Sequence, residues 1–276
     1  MTLQESQLVT KDGLKLFTRA WMTEKPAKAM VVIVHGIGEH CGRYEHVAQV
    51  FNTNGLDVFS YDQRGHGKSE GPRGHTPSNQ HLMDDISLAI KQARLLAGTE
   101  LPLFLYGHSM GGLEVLYYGL QNTSSIKGYV VTAPSIKIPS TDPVKIFLAK
   151  AMNPILPKLT LSTGLDVTAL SRDPKVMENY ESDPLVHGLA STRLGMFIIG
   201  GAEEVLKKAS SWNHPLLLMH GTEDRLANIS GSQEFFAKLT GDVTFKPWNG
   251  FYHELHNEPE QAEVIRTMAD WITKHI

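Results

Sequence analysis

Apolar residues along this chain follow two alternating rhythms. Near-continuous runs at 30–34, 103–106, 128–132 and 216–219 have the character of strands buried on both faces. Between them stand segments whose apolar positions recur three and four residues apart. Leu82, Ile86, Ala89, Ile90, Ala93 and Leu96 predict a helix over 79–97, ended near Gly98. Ala262, Ile265, Ala269 and Ile272 predict another over 259–274. Helices are also expected at 44–54, stopped by Asn54-Gly55, and at 233–239, with strands at 57–61 and 243–247. The first two strands, 7–10 and 14–20, meet across Asp12-Gly13, a strong hairpin signal. A hairpin followed by strands alternating with helices predicts a mostly parallel sheet covered on both faces, hence an α/β fold.

Residues 133–212 break the rhythm. This segment of about eighty residues separates two expected core strands, and unstructured loops of that length are rare in compact domains. A folded helical insertion, a cap or lid over a single domain of residues 1–276, is the expectation. Its first part, 144–152, gathers Val144, Phe147, Leu148, Ala151 and Met152 on one face between Lys145 and Lys150, a surface suited either to lipid or to its own domain.

The stretch with most chemical content is Leu-Pro-Leu-Phe-Leu-Tyr-Gly-His-Ser-Met-Gly-Gly at 101–112. It reads as strand, tight turn and helix, with Ser109 at the apex of a G-x-S-x-G turn. Flanking glycines let the two segments pass closely, and the helix N-terminus offers free N–H groups to a developing negative charge. A serine hydroxyl needs a base and a group that holds the base. Partners on loops after later strands are Asp224, in His-Gly-Thr-Glu-Asp-Arg at 220–225, and His253, in Gly-Phe-Tyr-His-Glu-Leu-His at 250–256. The order Ser109, Asp224, His253 is the one such a turn uses. Glu223 is the reserve acid and His256 the reserve base. Two donors for a tetrahedral oxyanion are expected from the main-chain N–H groups of Met110 and Ile37, the latter on the loop after the 30–34 strand.

Other chemistries fit less well. Gly36-x-Gly38 and Gly65-x-Gly67 meet their next glycine one residue too late for a dinucleotide turn, and Asp62 stands where a P-loop needs glycine. The thirteen histidines form no H-E-x-x-H pattern, so neither metal nor cofactor is expected. A net charge of −3, with Lys and Arg scattered, gives no reason to expect nucleic acid as a partner. Cys41, the only cysteine, excludes an intrachain disulfide and suits a reducing compartment. With no signal-peptide core and no run long enough to span a bilayer, a cytoplasmic protein with at most peripheral membrane contact is expected.

HGIGEHCGRYEHVA, YDQRGHGKSEGPRGH, LPLFLYGHSMGG, ESDPLV, HGTEDRL and YHELHNEP together resemble the monoacylglycerol lipase branch of the α/β-hydrolases, also described as lysophospholipases. The resemblance covers the chain from about Met30 onward and is weakest in the insertion. It implies an eight-stranded sheet and hydrolysis of a monoacylglycerol or similar small acyl ester by Ser109, Asp224 and His253. It also implies that Glu39, Arg43 and His256 hold the glycerol end, with Tyr180 at the same pocket. Glu39 and Arg43 can equally be read as a plain ion pair. Lysophospholipase or general carboxylesterase activity, and a non-enzymatic ligand-binding role, are the alternatives.

Overall fold

The computed structural model describes residues 1–98, 100–121, 126–138 and 150–276. Strands β1 (Thr2–Val9) and β2 (Lys15–Met22) pair antiparallel, from Thr2 opposite Met22 to Val9 opposite Lys15. β1 begins at Thr2, not at Gln7: its residues are almost all exposed, so no burial pattern marks the extra length and only pairing with β2 does. β3 (Ala29–Val34), a short helical turn at Cys41–Tyr44, α1 (Glu45–Thr53), β4 (Leu56–Tyr61) and α2 (Asn79–Ala97) follow. Then come β5 (Leu103–His108), α3 (Met110–Gln121) and β6 (Gly128–Thr132).

Within 133–212 the described residues form β7 (Thr160–Ser162), α4 (Pro174–Ser182), β8 (Leu189–Ser191) and α5 (Thr192–Lys208). β7 and β8 pair antiparallel, so the insertion is not purely helical as expected. Of the apolar face foreseen at 144–152, residues Val144, Phe147 and Leu148 lie outside the described residues. The chain closes with β9 (Leu216–Gly221), α6 (Ile229–Phe236), β10 (Val243–Trp248) and α7 (Gln261–Lys274). α6 starts before the expected Gln233 because the Asn228 side chain accepts from Ser230 N at 2.9 Å and caps it there.

Eight strands form one sheet in the order β1-β2-β4-β3-β5-β6-β9-β10, and every pairing from β4 to β10 is parallel. Alternate residues of β3 feed opposite cores. Met30, Val32 and Val34 pack with Leu82, Ile86 and Ala89 of α2 and with α3 and α5. Ala29, Val31 and Ile33 pack with Val47 and Phe51 of α1 and with Val264, Ile265 and Met268 of α7. The central strands are thus buried on both faces, which is what makes them read as unbroken apolar runs. α3 is buried on all sides up to Gly119, including Glu114, whose carboxyl is pushed well up by burial.

Candidate active site

Parallel strands place all their carboxyl ends at one edge of the sheet, and chemistry gathers in the loops there. β5 passes into α3 through Ser109, whose φ of 56° lies in the left-handed region that side chains seldom enter. Its N–H donates to Thr132 O at 3.0 Å, and its carbonyl accepts from Leu113 N and Ser135 N at 3.0 and 3.1 Å. These bonds over-determine the strained turn. Gly111 is required because a Cβ there would sit 2.2 Å from Val34 O, so only glycine lets α3 cross the end of β3.

The loop after β10 brings His253 to this point. His253 Nε2 lies 2.8 Å from Ser109 Oγ, and His253 Nδ1 lies 2.7 Å from Asp224 Oδ2 on the loop after β9. The two loops pass closely at Gly221, where a Cβ would come within 2.3 Å of both Phe251 O and Tyr252 O. Asp224 is fixed further: its Oδ1 accepts from Leu226 N and Ala227 N at 2.8 and 2.9 Å, and His220 Nε2 lies 3.0 Å from its Oδ2. Glu223, the reserve acid, is exposed on the same turn.

Burial by itself would raise the Asp224 carboxyl, but the charge of His253 and the hydrogen bonds from His220 and His253 hold it well below its usual range. For His253 the balance runs the other way. Burial disfavours its charged form, yet the Asp224 carboxylate outweighs that and raises its pKa above the ordinary 6.5. A base must be neutral to accept a proton, so kcat/KM is expected to fall as pH drops through a midpoint above 6.5. A profile flat down to about pH 4.5 would exclude a histidine base.

Ile37, between Gly36 and Gly38 on the loop after β3, lines the space above Ser109. Met110 is the first residue of α3, where a helix has no carbonyl of its own for the N–H. The space is walled by Gly36, Glu39, Arg43, His108, Ser109 and His253, and roofed by Leu165, Leu170 and Tyr180 of the insertion. Its volume is only 10 Å³, about enough for one water molecule. The insertion is seated on the two loops below: His187 N donates to Gly38 O at 2.9 Å, Glu254 N donates to Leu170 O at 2.8 Å, and His40 Nε2 meets Asp183 Oδ2 at 2.8 Å.

Glu39 and Arg43 stand together in this wall. Glu39 Oε1 accepts from Gly36 N at 2.6 Å and Tyr44 OH at 2.8 Å, while Arg43 Nη1 donates to Oε2 at 2.8 Å. Tyr180 lays its ring 4.9 Å from the Arg43 guanidinium. His256 is not brought to the cavity. It is fully buried, stacked on Tyr44 at 4.8 Å, with the His108 ring between it and His253. Burial pushes its pKa down to about 3, so it is neutral.

Three neighbours escaped the sequence reading. Glu254 forms a two-pronged ion pair with Arg43, and its only sequence signal is its place beside His253. His220 supports Asp224 from the end of β9, inside a motif already singled out. Ser135 places its Oγ 3.3 Å from Ser109 Oγ, and nothing in the sequence points to it. Asp62 accepts from Lys68 N at 2.7 Å and from Cys41 N at 2.8 Å, so the 62–69 stretch is a turn bonded to itself and to the loop after β3.

A groove of 250 Å³ that includes Ser135 is lined mostly by Ile136, Ile138, Ile198, Ile199, Ala202 and Leu206, with Lys137 and Glu203 also in its wall. A larger open hollow of 620 Å³ lies between Met1, Lys28 and Gly55, at the opposite edge of the sheet where β3 and β4 begin. Among the described residues no group of His, Cys, Asp and Glu could hold a metal ion, and no helix is long and apolar enough to cross a membrane.

Comparison with known proteins agrees with this architecture. Residues 25–260 match the family described as serine aminopeptidase, S33. The chain is 34% identical to a monoacylglycerol lipase of Mycolicibacterium smegmatis, across 100% of this chain and 99% of that one. It is 36% identical to an uncharacterized abhydrolase domain-containing protein of Dictyostelium discoideum, of which it spans 30% of the length. The crystal structure of Paleococcus ferrophilus monoacylglycerol lipase superposes with a TM-score of 0.86 at 36% identity, covering 100% of both chains. The chain therefore belongs to the serine aminopeptidase S33 family of α/β-hydrolases, in the branch that holds the monoacylglycerol lipases.

Proposed function

We propose that this protein is a serine esterase that cleaves monoacylglycerols to a fatty acid and glycerol through an acyl-enzyme. The observation that carries the reading is the unbroken hydrogen-bonded line from Ser109 through His253 to Asp224, at 2.8 and 2.7 Å. Ser109 Oγ attacks the ester carbonyl while its proton passes to His253 Nε2. Asp224 holds the ring and balances the imidazolium that forms. The N–H groups of Ile37 and Met110 receive the oxyanion as charge develops. Collapse expels glycerol, which takes the proton from His253. Water then repeats the sequence on the acyl-enzyme and releases the acid.

The relatives named as monoacylglycerol lipases support the substrate class. So do the surroundings: charged and hydroxyl groups at Glu39, Arg43 and Tyr180 share the cavity above Ser109, and a mostly apolar groove starts at Ser135, whose Oγ lies 3.3 Å from Ser109 Oγ. A glycerol ester needs more room than the 10 Å³ above Ser109 provides, so the Leu165–Leu170–Tyr180 roof has to shift for substrate to enter. We assign uptake of long-chain substrate to a lipid surface, on the sequence of 144–152 with Lys145 and Lys150 beside it.

A hydrolysis panel tests the reading. Monoacylglycerols are expected to exceed di- and triacylglycerols and lysophospholipids in kcat/KM by at least tenfold. KM should fall with each added methylene, worth about 0.8 kcal/mol when buried, until the groove is full. Equal rates across all four lipid classes would replace this function with that of a general esterase.

A further inference from the structure

Arg43 is the only Arg or Lys among the described residues lining the cavity above Ser109, and it faces two carboxylates there, Glu39 and Glu254. A guanidinium with a free edge is a strong phosphate receptor, because its parallel N–H groups match two phosphate oxygens. Here the Nη1–Nη2 edge is taken. Nη1 and Nη2 donate to Glu254 Oε1 and Oε2, both at 2.7 Å, and Nη1 also reaches Glu39 Oε2 at 2.8 Å. Glu254 is fixed in turn by Asn257 Nδ2, which donates to its Oε2 at 2.7 Å. The Arg43, Glu39 and Glu254 side chains are only 12%, 3% and 3% exposed, so water and salt screen them little. The Tyr180 ring over Arg43 occupies a further approach.

We propose that Glu254 is a specificity-determining residue: by occupying the guanidinium fork of Arg43 it makes this end of the cavity a receptor for an uncharged polyol and a barrier to a phosphate ester. The inference rests on the reading above, in which Ser109 attacks an acylglycerol held here. A glycerol hydroxyl both donates and accepts, so it can bond to a spare carboxylate lone pair without adding charge. A phosphate monoester brings up to two negative charges against two carboxylates whose one cation is already committed. In a site of low dielectric that repulsion is only weakly screened. Glu254 thereby separates acylglycerols from lysophosphatidates with the same acyl chain.

The test compares kcat/KM for 1-octanoylglycerol and 1-octanoylglycerol 3-phosphate, below their aggregation limits, in the wild type, Glu254→Gln and Glu254→Asp. The wild type is expected to prefer the neutral ester by about a hundredfold or more, a difference of two tenfold steps. Glu254→Gln should shrink that ratio at least tenfold, chiefly through KM of the phosphate ester, while Glu254→Asp keeps it. Because each ratio is taken within one protein, a general loss of active enzyme cancels. Product analogues supply a measurement on the wild type alone: glycerol should compete with substrate at concentrations where glycerol 3-phosphate does not. A wild type that cleaves both esters within tenfold, an unchanged ratio in Glu254→Gln, or tighter competition by glycerol 3-phosphate each overturns the proposal. A wild type that hydrolyses p-nitrophenyl butyrate but neither octanoyl ester overturns the substrate reading itself, and this inference with it.

Discussion

Ser109→Ala is expected to lose ester hydrolysis by roughly three to six orders of magnitude while keeping its fold. Removing a nucleophile that acts as one unit with its base costs about as much as removing the whole unit. What remains is binding and the oxyanion donors, which still favour the reaction over water. The fold survives because alanine keeps the Cβ and therefore adds no strain at the φ of 56°. The main-chain bonds of residue 109 to Thr132, Leu113 and Ser135 are untouched, and only the hydroxyl contacts to His253 and Ser135 disappear. Hydrolysis of a soluble nitrophenyl ester and covalent labelling by a fluorophosphonate, both at matched folded protein, check the expectation. Residual turnover above about one per cent would move the nucleophile elsewhere.

His253→Ala should match the loss at Ser109, whereas His256→Ala should cost mainly stability. The distances make the difference: His253 Nε2 stands 2.8 Å from Ser109 Oγ, while His256 lies behind the His108 ring. His256 fills space against Tyr44 and Tyr106, so truncating it leaves a void in the core. Large buried side chains replaced by alanine cost roughly 2–5 kcal/mol. A melting temperature lowered by several degrees is expected, with similar fractional losses of kcat/KM on nitrophenyl esters and on monoacylglycerols. A selective loss on monoacylglycerols with stability intact would instead make His256 a glycerol contact, as the family resemblance implies. A loss equal to that of His253→Ala would make it the base.

The order of elements and the order of the chemistry are both legible in local pattern. The short unbroken apolar runs at β3, β5, β6 and β9 read as strands covered on both faces, because runs of that length bounded by turn residues are too short for a helix. Helical spacing gave α2 to the residue, since its apolar stripe is one core face. That Ser109, Asp224 and His253 would meet was legible because each follows a strand of the parallel sheet, and parallel strands end at one edge. The exposed start of β1 and the β7–β8 pair in the insertion were not, because neither carries a burial pattern of its own. Side-chain direction and charge pairing were decided only in three dimensions. Asp224 turns inward while Glu223 beside it faces solvent, and His256 retreats into the core three residues after His253 reaches Ser109. Arg43 finds Glu254 across 211 residues of chain. Such pairings depend on where loops from separate strands converge and on which charges that packing shuts away from water, and local sequence encodes neither.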